Sequence, residues 1–192
     1  MIEIPCVIFA GGRSSRMGED KALLPFGGFD TLTQYQYHRL SKIFQNVYIS
    51  CRDKKKFHFK ANFIEDDKTL TEYAPTAGFV ASFKELNSAS FFVLSVDAPF
   101  VGLDEITKLV EADSSDVDAT VAKSKHGLEP MCGIYHRSLQ KSFEDMLQNS
   151  NHKLGFLLKN SNSKFVPFEN EKAFLNLNNP LEYQEALKLL HI

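Results

Sequence analysis

Residues 2–21, IEIPCVIFAGGRSSRMGEDK, decide how the chain is read. IEIPCVIF, residues 2–9, is mostly apolar and leads through Ala10 into Gly11-Gly12, the pattern of a buried strand that empties into a loop. The two glycines let backbone amides approach an anion with no Cβ in the way. Ser14 and Ser15 add hydroxyl donors, and Arg16 and Lys21 add the charge that balances a triphosphate. Neither GxxxxGK[ST] nor GxGxxG is present, so this is not a P-loop or a dinucleotide fingerprint. The plain alternative is a flexible basic turn, but a turn without a ligand has no use for this set of cations.

Strand and helix patterns alternate beyond the loop. Residues 31–44 predict a helix, NVYISC at 46–51 a strand, and NFIED at 62–66 a short strand. TAGFVASFKELN at 76–87 carries Phe79, Val80, Phe83 and Leu86 at helical spacing. FFVLSV at 91–96 is an unbroken apolar run and predicts a central parallel strand. A helix at 103–112 precedes VDATVAK and EPMCGIYH, an antiparallel pair joined around His126-Gly127. Helices are expected at 137–149, 152–159 and 180–190, with a strand at 164–167. No repeat, low-complexity tract or long linker divides residues 1–192, so one domain is expected. The alternation predicts an α/β fold, a three-layer α/β/α sandwich with a mostly parallel, Rossmann-like sheet and a small antiparallel portion. Ligands in such folds bind beyond the carboxyl ends of the strands.

Composition narrows the function classes. With 22 basic and 24 acidic residues the net charge is −2, so no global positive field exists to hold a nucleic acid. The run Lys54-Lys55-Lys56 lacks interleaved aromatics and is expected to be a solvated face. Cys6, Cys51 and Cys132 are odd in number, dispersed and without a CxxC pair, which predicts reduced thiols and a cytoplasmic location. The apolar stretch from Ile4 to Ala10 is too short for a signal peptide or membrane span and is expected to be a strand. The histidines form no HExxH and no serine sits in GxSxG, so zinc hydrolysis and acyl-enzyme chemistry have no support.

Two further places carry candidate chemistry. Asp97, in FFVLSVDAPF at 91–100, ends the predicted central strand, where a carboxylate can hold a hard cation or serve as a cap or turn former. Asn176 and Asn178 in FLNLNNPLEY offer donor and acceptor on one side of an extended segment, or belong to a turn that caps the last helix.

The first loop resembles the GGxSxRMGxDK signature of the molybdenum cofactor guanylyltransferases, within the glycosyltransferase-A-like nucleotidyltransferases. Gly11, Gly12, Ser14, Arg16, Met17, Gly18, Asp20 and Lys21 match. The resemblance implicates Phe9, Ala10 and Gly11 in nucleotide contact, with Phe9 in place of the usual leucine. DKTLTEYAPTAG at 67–78 is similar to the family's aspartate followed by GPLAG, with Asp67 and Gly78 in matching positions and Ala74 and Thr76 departing. That implies Asp67 at the nucleoside, and a carboxylate suits the N1 and N2 donors of guanine. Asp66-Asp67 has the alternative of a solvated acidic turn. Asp97, Pro99 and Phe100 match a CDxPF-like segment whose aspartate binds magnesium, whereas Val96 and Ala98 depart. GLEPMCGIYHRS at 127–138 resembles HPxxGLYHRSL, with Glu129 where histidine is frequent. Asn176 and Asn178 fall on the asparagines of a closing NxNTPEDL pattern, Asn179 replacing threonine.

The resemblance covers residues 9–183 and implies transfer of GMP from GTP to molybdopterin with loss of pyrophosphate. It assigns magnesium to Asp97 and triphosphate charge to Arg16 and Lys21. A cytidylyltransferase for the same pterin, a sugar-phosphate nucleotidyltransferase and a non-catalytic GTP-binding subunit stay open. Arg137, Lys153 and Lys159 are further cations for a pterin phosphate, although such side chains usually face solvent. Transient contacts with other cofactor-assembly proteins and apo-molybdoenzymes are implied, and no nucleic-acid or membrane partner.

Overall fold

The computed structural model describes residues 1–12, 18–67 and 74–190. Strand β1 (Cys6–Phe9) is followed by α1 (Leu32–Leu40), β2 (Val47–Cys51), β3 (Asn62–Glu65), α2 (Pro75–Glu85) and β4 (Ser90–Ser95). Then come α3 (Leu103–Ala112), β5 (Ala119–Ser124), β6 (Gly127–His136), α4 (Gln140–Gln148), α5 (Leu154–Lys159), β7 (Ser163–Pro167) and α6 (Pro180–Leu189). The strands form one seven-stranded sheet in the order β3-β2-β1-β4-β6-β5-β7.

Parallel pairing joins β1 to β2 and β4, β2 to β3, and β5 to β7, while β6 runs antiparallel to both β4 and β5. The mostly parallel sheet with an antiparallel portion is as expected. Two details differ from the sequence prediction. FFVLSV is central but parallel on one edge only, because the β5–β6 hairpin inserts β6 against its other edge. The first strand covers residues 6–9 rather than 2–9, since Pro5 has no N–H for the ladder and contributes only its carbonyl, to Phe92 N at 2.8 Å. Upstream, Ile2 keeps an isolated bridge to Phe44.

Alternation along the strands builds two cores. Cys6 and Ile8 of β1 pack with Leu32 and Leu40 of α1, Ile106 and Leu109 of α3 and Ala186 of α6. Val7 and Phe9 face the other way, toward Phe79 and Phe83 of α2, Phe143 of α4 and Leu158 of α5. The result is three layers, helix, sheet and helix. Local chemistry sets the element ends: Thr31 Oγ1 accepts from Gln34 N at 3.0 Å to cap α1, and Pro75 opens α2 at its first turn. The β5–β6 hairpin turns through Lys125-His126 into Gly127, whose φ of 132° disfavours a side chain. No helix among the described residues is long and apolar enough to cross a membrane.

Candidate active site

The carboxyl ends of β1, β2, β3 and β4 converge because the strands are parallel and in register. Two backbone bonds weld them beyond the ladder: Ala10 N donates to Ser50 O at 2.8 Å, and Val96 N to Phe9 O at 3.0 Å. Gly11-Gly12 therefore leaves the sheet between the tips of β2 and β4. Ser14 and Arg16 lie outside the described residues. The chain returns at Asp20, whose Oδ1 accepts from Ala22 N at 3.1 Å and caps the short 3-10 turn Lys21–Leu23.

That turn delivers Lys21 to the tip of β4. Its ammonium forms an ion pair with Asp97 and donates to Asn178 Oδ1 at 3.3 Å. Asp97 sits in the turn after β4 and is 9% exposed. Leu177 N donates to the Asp97 carbonyl at 2.9 Å, and Leu177 is fully buried. This anchor fixes the extended 175–178 segment with Asn176 and Asn178 on either side of it. The last helix is capped by Asn179, whose Oδ1 accepts from Glu182 N at 3.0 Å, so capping does not occupy Asn176 or Asn178. Three parts of the chain that sequence motifs marked separately thus meet at one ammonium.

Buried polar groups of α1 support the Asp97 turn. Gln36 Nε2 donates to Val96 O at 3.1 Å, and Arg39 reaches Val101 O at 2.6 Å and Gln36 Oε1 at 2.6 Å. Sequence reasoning passed over both side chains, because nothing local distinguishes a buttressing Gln or Arg from an exposed one.

A cleft of about 130 Å³ opens beside the glycines, walled by Phe9, Gly11, Ser50, Asp66, Gly78 and Met131 among others. Its shape depends on Gly78. A Cβ there would lie 2.6 Å from a Phe9 ring carbon and 2.7 Å from Ser50 Oγ, so any side chain would drive the helix off the strand tips. The Phe9 ring is held against Phe79 with centroids 4.9 Å apart. Thr76, which departs from the family's leucine, is fully buried and its hydroxyl meets His152 Nδ1 at 2.6 Å.

The acidic residue in this cleft is Asp66; Asp67 is exposed. Asp66 Oδ1 is buried and without a hydrogen-bond partner among the described residues. Burial pushes the carboxyl above its ordinary range, against the opposing pull of Arg52, a hydrogen bond with Ser50, and Lys56. An acceptor desolvated at this cost and left unpaired is a sign of a ligand that donates. The signal was present in the sequence: Asp66 is two residues past Ile64, which packs in the same core as Phe9 and Phe79.

Ser95 and Met131 are shared with a second cleft of about 180 Å³, which adds Asp97, Glu129, Phe174 and Asn176. An open cleft of about 440 Å³ continues past Asn176 and Asn178 and includes His126 and Lys172. Two adjoining spaces therefore flank the tip of β4.

The remaining motif residues lie elsewhere. Because β6 is antiparallel to β4, His136–Ser138 stands at the opposite end of the sheet, where His136 pairs with Ser90. Arg137 there donates to Phe83 O at 2.8 Å, Ser88 O at 3.1 Å and Leu86 O, fastening the end of α2. Lys153 and Lys159 are exposed.

The model of the MobA-like NTP transferase domain matches residues 6–164. The chain belongs to that family. This MobA-like NTP transferase is 41% identical to the molybdenum cofactor guanylyltransferase of Campylobacter jejuni subsp. doylei over 95% of each chain. It is 33% identical to the enzyme of that name from Helicobacter pylori, covering 97% of this chain and 93% of the relative. Its fold is shared with molybdopterin-guanine dinucleotide biosynthesis protein A of Archaeoglobus fulgidus, at a TM-score of 0.83 and 22% identity over 98% and 99% of the two chains. It is a nucleotidyltransferase.

Proposed function

We infer that the protein transfers GMP from GTP to molybdopterin, releasing pyrophosphate and forming the guanine dinucleotide of the molybdenum cofactor. The observation that carries this reading is the meeting of Lys21, Asp97 and Asn178, of which Asp97 lines one cleft and Asn178 the next. Full-length relatives of that activity support it.

The nucleoside occupies the Phe9–Gly78 cleft, with Asp66 accepting from guanine N1–H and the exocyclic amine. The backbone at Ala10–Gly12 and the Lys21 ammonium are assigned to the triphosphate, and the family signature adds Ser14 and Arg16 to that set. Magnesium fits the donor set. Among the described residues no three His, Cys, Asp or Glu side chains cluster as a cage, and one carboxylate completed by substrate phosphates is the ion's usual arrangement. Asp97 is the residue that would hold it, and when bound it would neutralise charge on the phosphates.

A phosphate oxygen of molybdopterin attacks the α-phosphorus of GTP, and the bond from that phosphorus to the bridging oxygen breaks as pyrophosphate departs. A phosphate monoester is already ionised near neutral pH, so the nucleophile needs no general base. Lys21, bonded to Asp97 of one cleft and to Asn178 of the next, stabilises charge that develops on the transferring phosphate, while Asn176 and Asn178 hold the second substrate. Positioning supplies most of the remaining acceleration.

One sheet carrying every described strand supports a single nucleotidyltransferase domain. Cytoplasmic action is supported by Cys6, Cys51 and Cys132, all buried and unpaired. Delivery of the product to apo-molybdoenzymes, with transient contacts to other assembly proteins, follows from the activity.

The test is pyrophosphate release by the purified protein with GTP, CTP, ATP or UTP, each with and without molybdopterin and magnesium. Release that requires GTP, molybdopterin and magnesium together is expected. Preference for CTP would overturn the choice of base, and GTP binding without release would make the protein a non-catalytic binder.

A further inference from the structure

By sequence Lys54-Lys55-Lys56 is a solvated basic face, yet the three ammonium groups have different surroundings. The run forms one 3-10 turn after β2, capped by Asp53, whose carboxylate accepts from Lys55 N at 2.9 Å. Lys54 pairs with Glu65 at 3.5 Å on the outside of the fold. Lys56 turns inward. Its ammonium donates to the Ala10 carbonyl at 3.1 Å and to Asp20 Oδ2 at 2.8 Å, and lies 5.0 Å from the centre of the Phe57 ring.

The two acceptors stand at the ends of the phosphate loop. Ala10 precedes Gly11-Gly12, and Asp20 precedes Lys21 and caps its turn through the other carboxylate oxygen. One cation on the β2–β3 connection therefore fastens the point where the loop leaves the sheet to the point where it returns. Closing a loop has an entropic cost, and a contact made before the ligand arrives removes that cost from the binding step. Lys55 supplies an internal comparison. It lines the same cleft of about 440 Å³ with Gly12 and Arg52, but among the described residues no bond runs from its ammonium to Ala10 or Asp20.

We propose that Lys56 is a positioning residue for the nucleotide, a clamp that holds both ends of the phosphate loop so that the Gly11 and Gly12 amides and the Lys21 ammonium stand in place before the triphosphate enters. The inference rests on the nucleotidyltransferase reading for the identity of the ligand. The clamp itself is a property of the nucleotide-free protein.

The experiment compares Lys56→Met, Lys56→Arg, Lys55→Met and Asp20→Asn with the wild type. Calorimetry gives the affinity for GTP with magnesium, steady-state assays give kcat and KM, and amide exchange at Gly11, Gly12 and Lys21 is followed without nucleotide. Lys56→Met is expected to weaken GTP binding about tenfold and raise KM to match, with kcat at saturating GTP within about threefold of wild type. Exchange at the three amides should quicken. Lys56→Arg should restore most of the affinity because a guanidinium can still bridge the two acceptors, and Lys55→Met should stay within about threefold of wild type. Asp20→Asn preserves the cap and removes the charge. It should weaken binding on its own and add little to Lys56→Met, as expected for two groups acting as a unit.

Unchanged affinity and exchange in Lys56→Met would overturn the proposal. So would an equal loss in Lys55→Met, which would reduce the effect to general charge, or a collapse of kcat with affinity retained, which would make Lys56 a direct phosphate contact. If Lys56→Met does not fold, Asp20→Asn carries the same test from the other side of the bond. Absence of GMP transfer by the wild type would refute the functional reading and leave the exchange measurement standing.

Discussion

Replacing Asp66 by asparagine tests how the protein selects its base. The Asp66 carboxyl has one buried oxygen without a partner among the described residues, in a cleft walled by Phe9, Gly11 and Gly78. Guanine presents two adjacent donors, N1–H and the exocyclic amine, and an ionised carboxylate can accept both. Hydrogen bonds to a charged group contribute about 1.5–3 kcal/mol each. Asparagine keeps one acceptor but sets its own N–H groups against the guanine amine. A loss of about 3 kcal/mol corresponds to roughly a hundredfold weaker binding.

The same change should improve binding of xanthosine triphosphate, which carries a carbonyl where guanine carries the amine and so accepts from the new amide. Calorimetric titration of wild type and Asp66→Asn with both nucleotides in the presence of magnesium measures the exchange directly. Loss of fold does not explain the expected result, since the substitution removes a buried charge and the nucleotide-free protein should melt no lower than wild type. Asp67→Asn, at an exposed position, should alter GTP affinity by less than about threefold. Retention of GTP affinity by Asp66→Asn, or no gain for xanthosine triphosphate, would refute the assignment of the base to this cleft.

Gly78→Ala should destabilise by about 1–3 kcal/mol, because its Cβ meets the Phe9 ring and Ser50 Oγ within 2.7 Å; a lower melting temperature together with weaker GTP binding is the expected pair of results. Lys21→Ala and Asp97→Asn should each lower kcat/KM by about 10²–10³-fold or more in the pyrophosphate assay while the circular dichroism spectrum is unchanged, and turnover near wild type in either variant would remove the proposed mechanism. Since burial raises the Asp66 carboxyl above its ordinary value of 3.8, its contribution to stability is present below that value and declines as pH rises through the raised one. Wild type should therefore lose more stability than Asp66→Asn across that interval, and GTP binding there should release protons, read by calorimetry in buffers of different ionisation enthalpy.

Sequence was most informative where local pattern and tertiary role coincide. The apolar run at 91–96 and the helical spacing of Phe79, Val80 and Phe83 located β4 and α2 because buried faces are written into periodicity. Strand orientation was less visible. The direction of β6 against β4 follows from the two-residue turn at Lys125-His126 and from which neighbours remain unpaired, and no residue within FFVLSV encodes it. The same limit governed the motif residues. Arg137 and Lys21 are both cations in matching motifs, yet one fastens helix carbonyls at the far end of the sheet and the other meets Asp97. Only the path of the chain separates them.

That path also explains why the candidate site draws on parts of the sequence so far apart. Parallel strands bring their carboxyl ends to one edge, so the residue following each strand is a neighbour of the others whatever its separation in the chain. Ala10 after β1, the Lys54–Lys56 turn after β2, Asp66 after β3 and Asp97 after β4 occupy that edge together. The closing segment joins them through the backbone bond from Leu177 to Asp97. Several groups of this ring are already bonded to one another: Lys21 to Asp97 and Asn178, Lys56 to Ala10 and Asp20. Such bonds hold the charges in place before substrate arrives, which is the condition under which fixed charge stabilises a transition state without reorganising during the reaction. Loosening the ring at a point away from the phosphates should consequently weaken nucleotide binding, whereas removing Lys21 or Asp97 should suppress the chemical step.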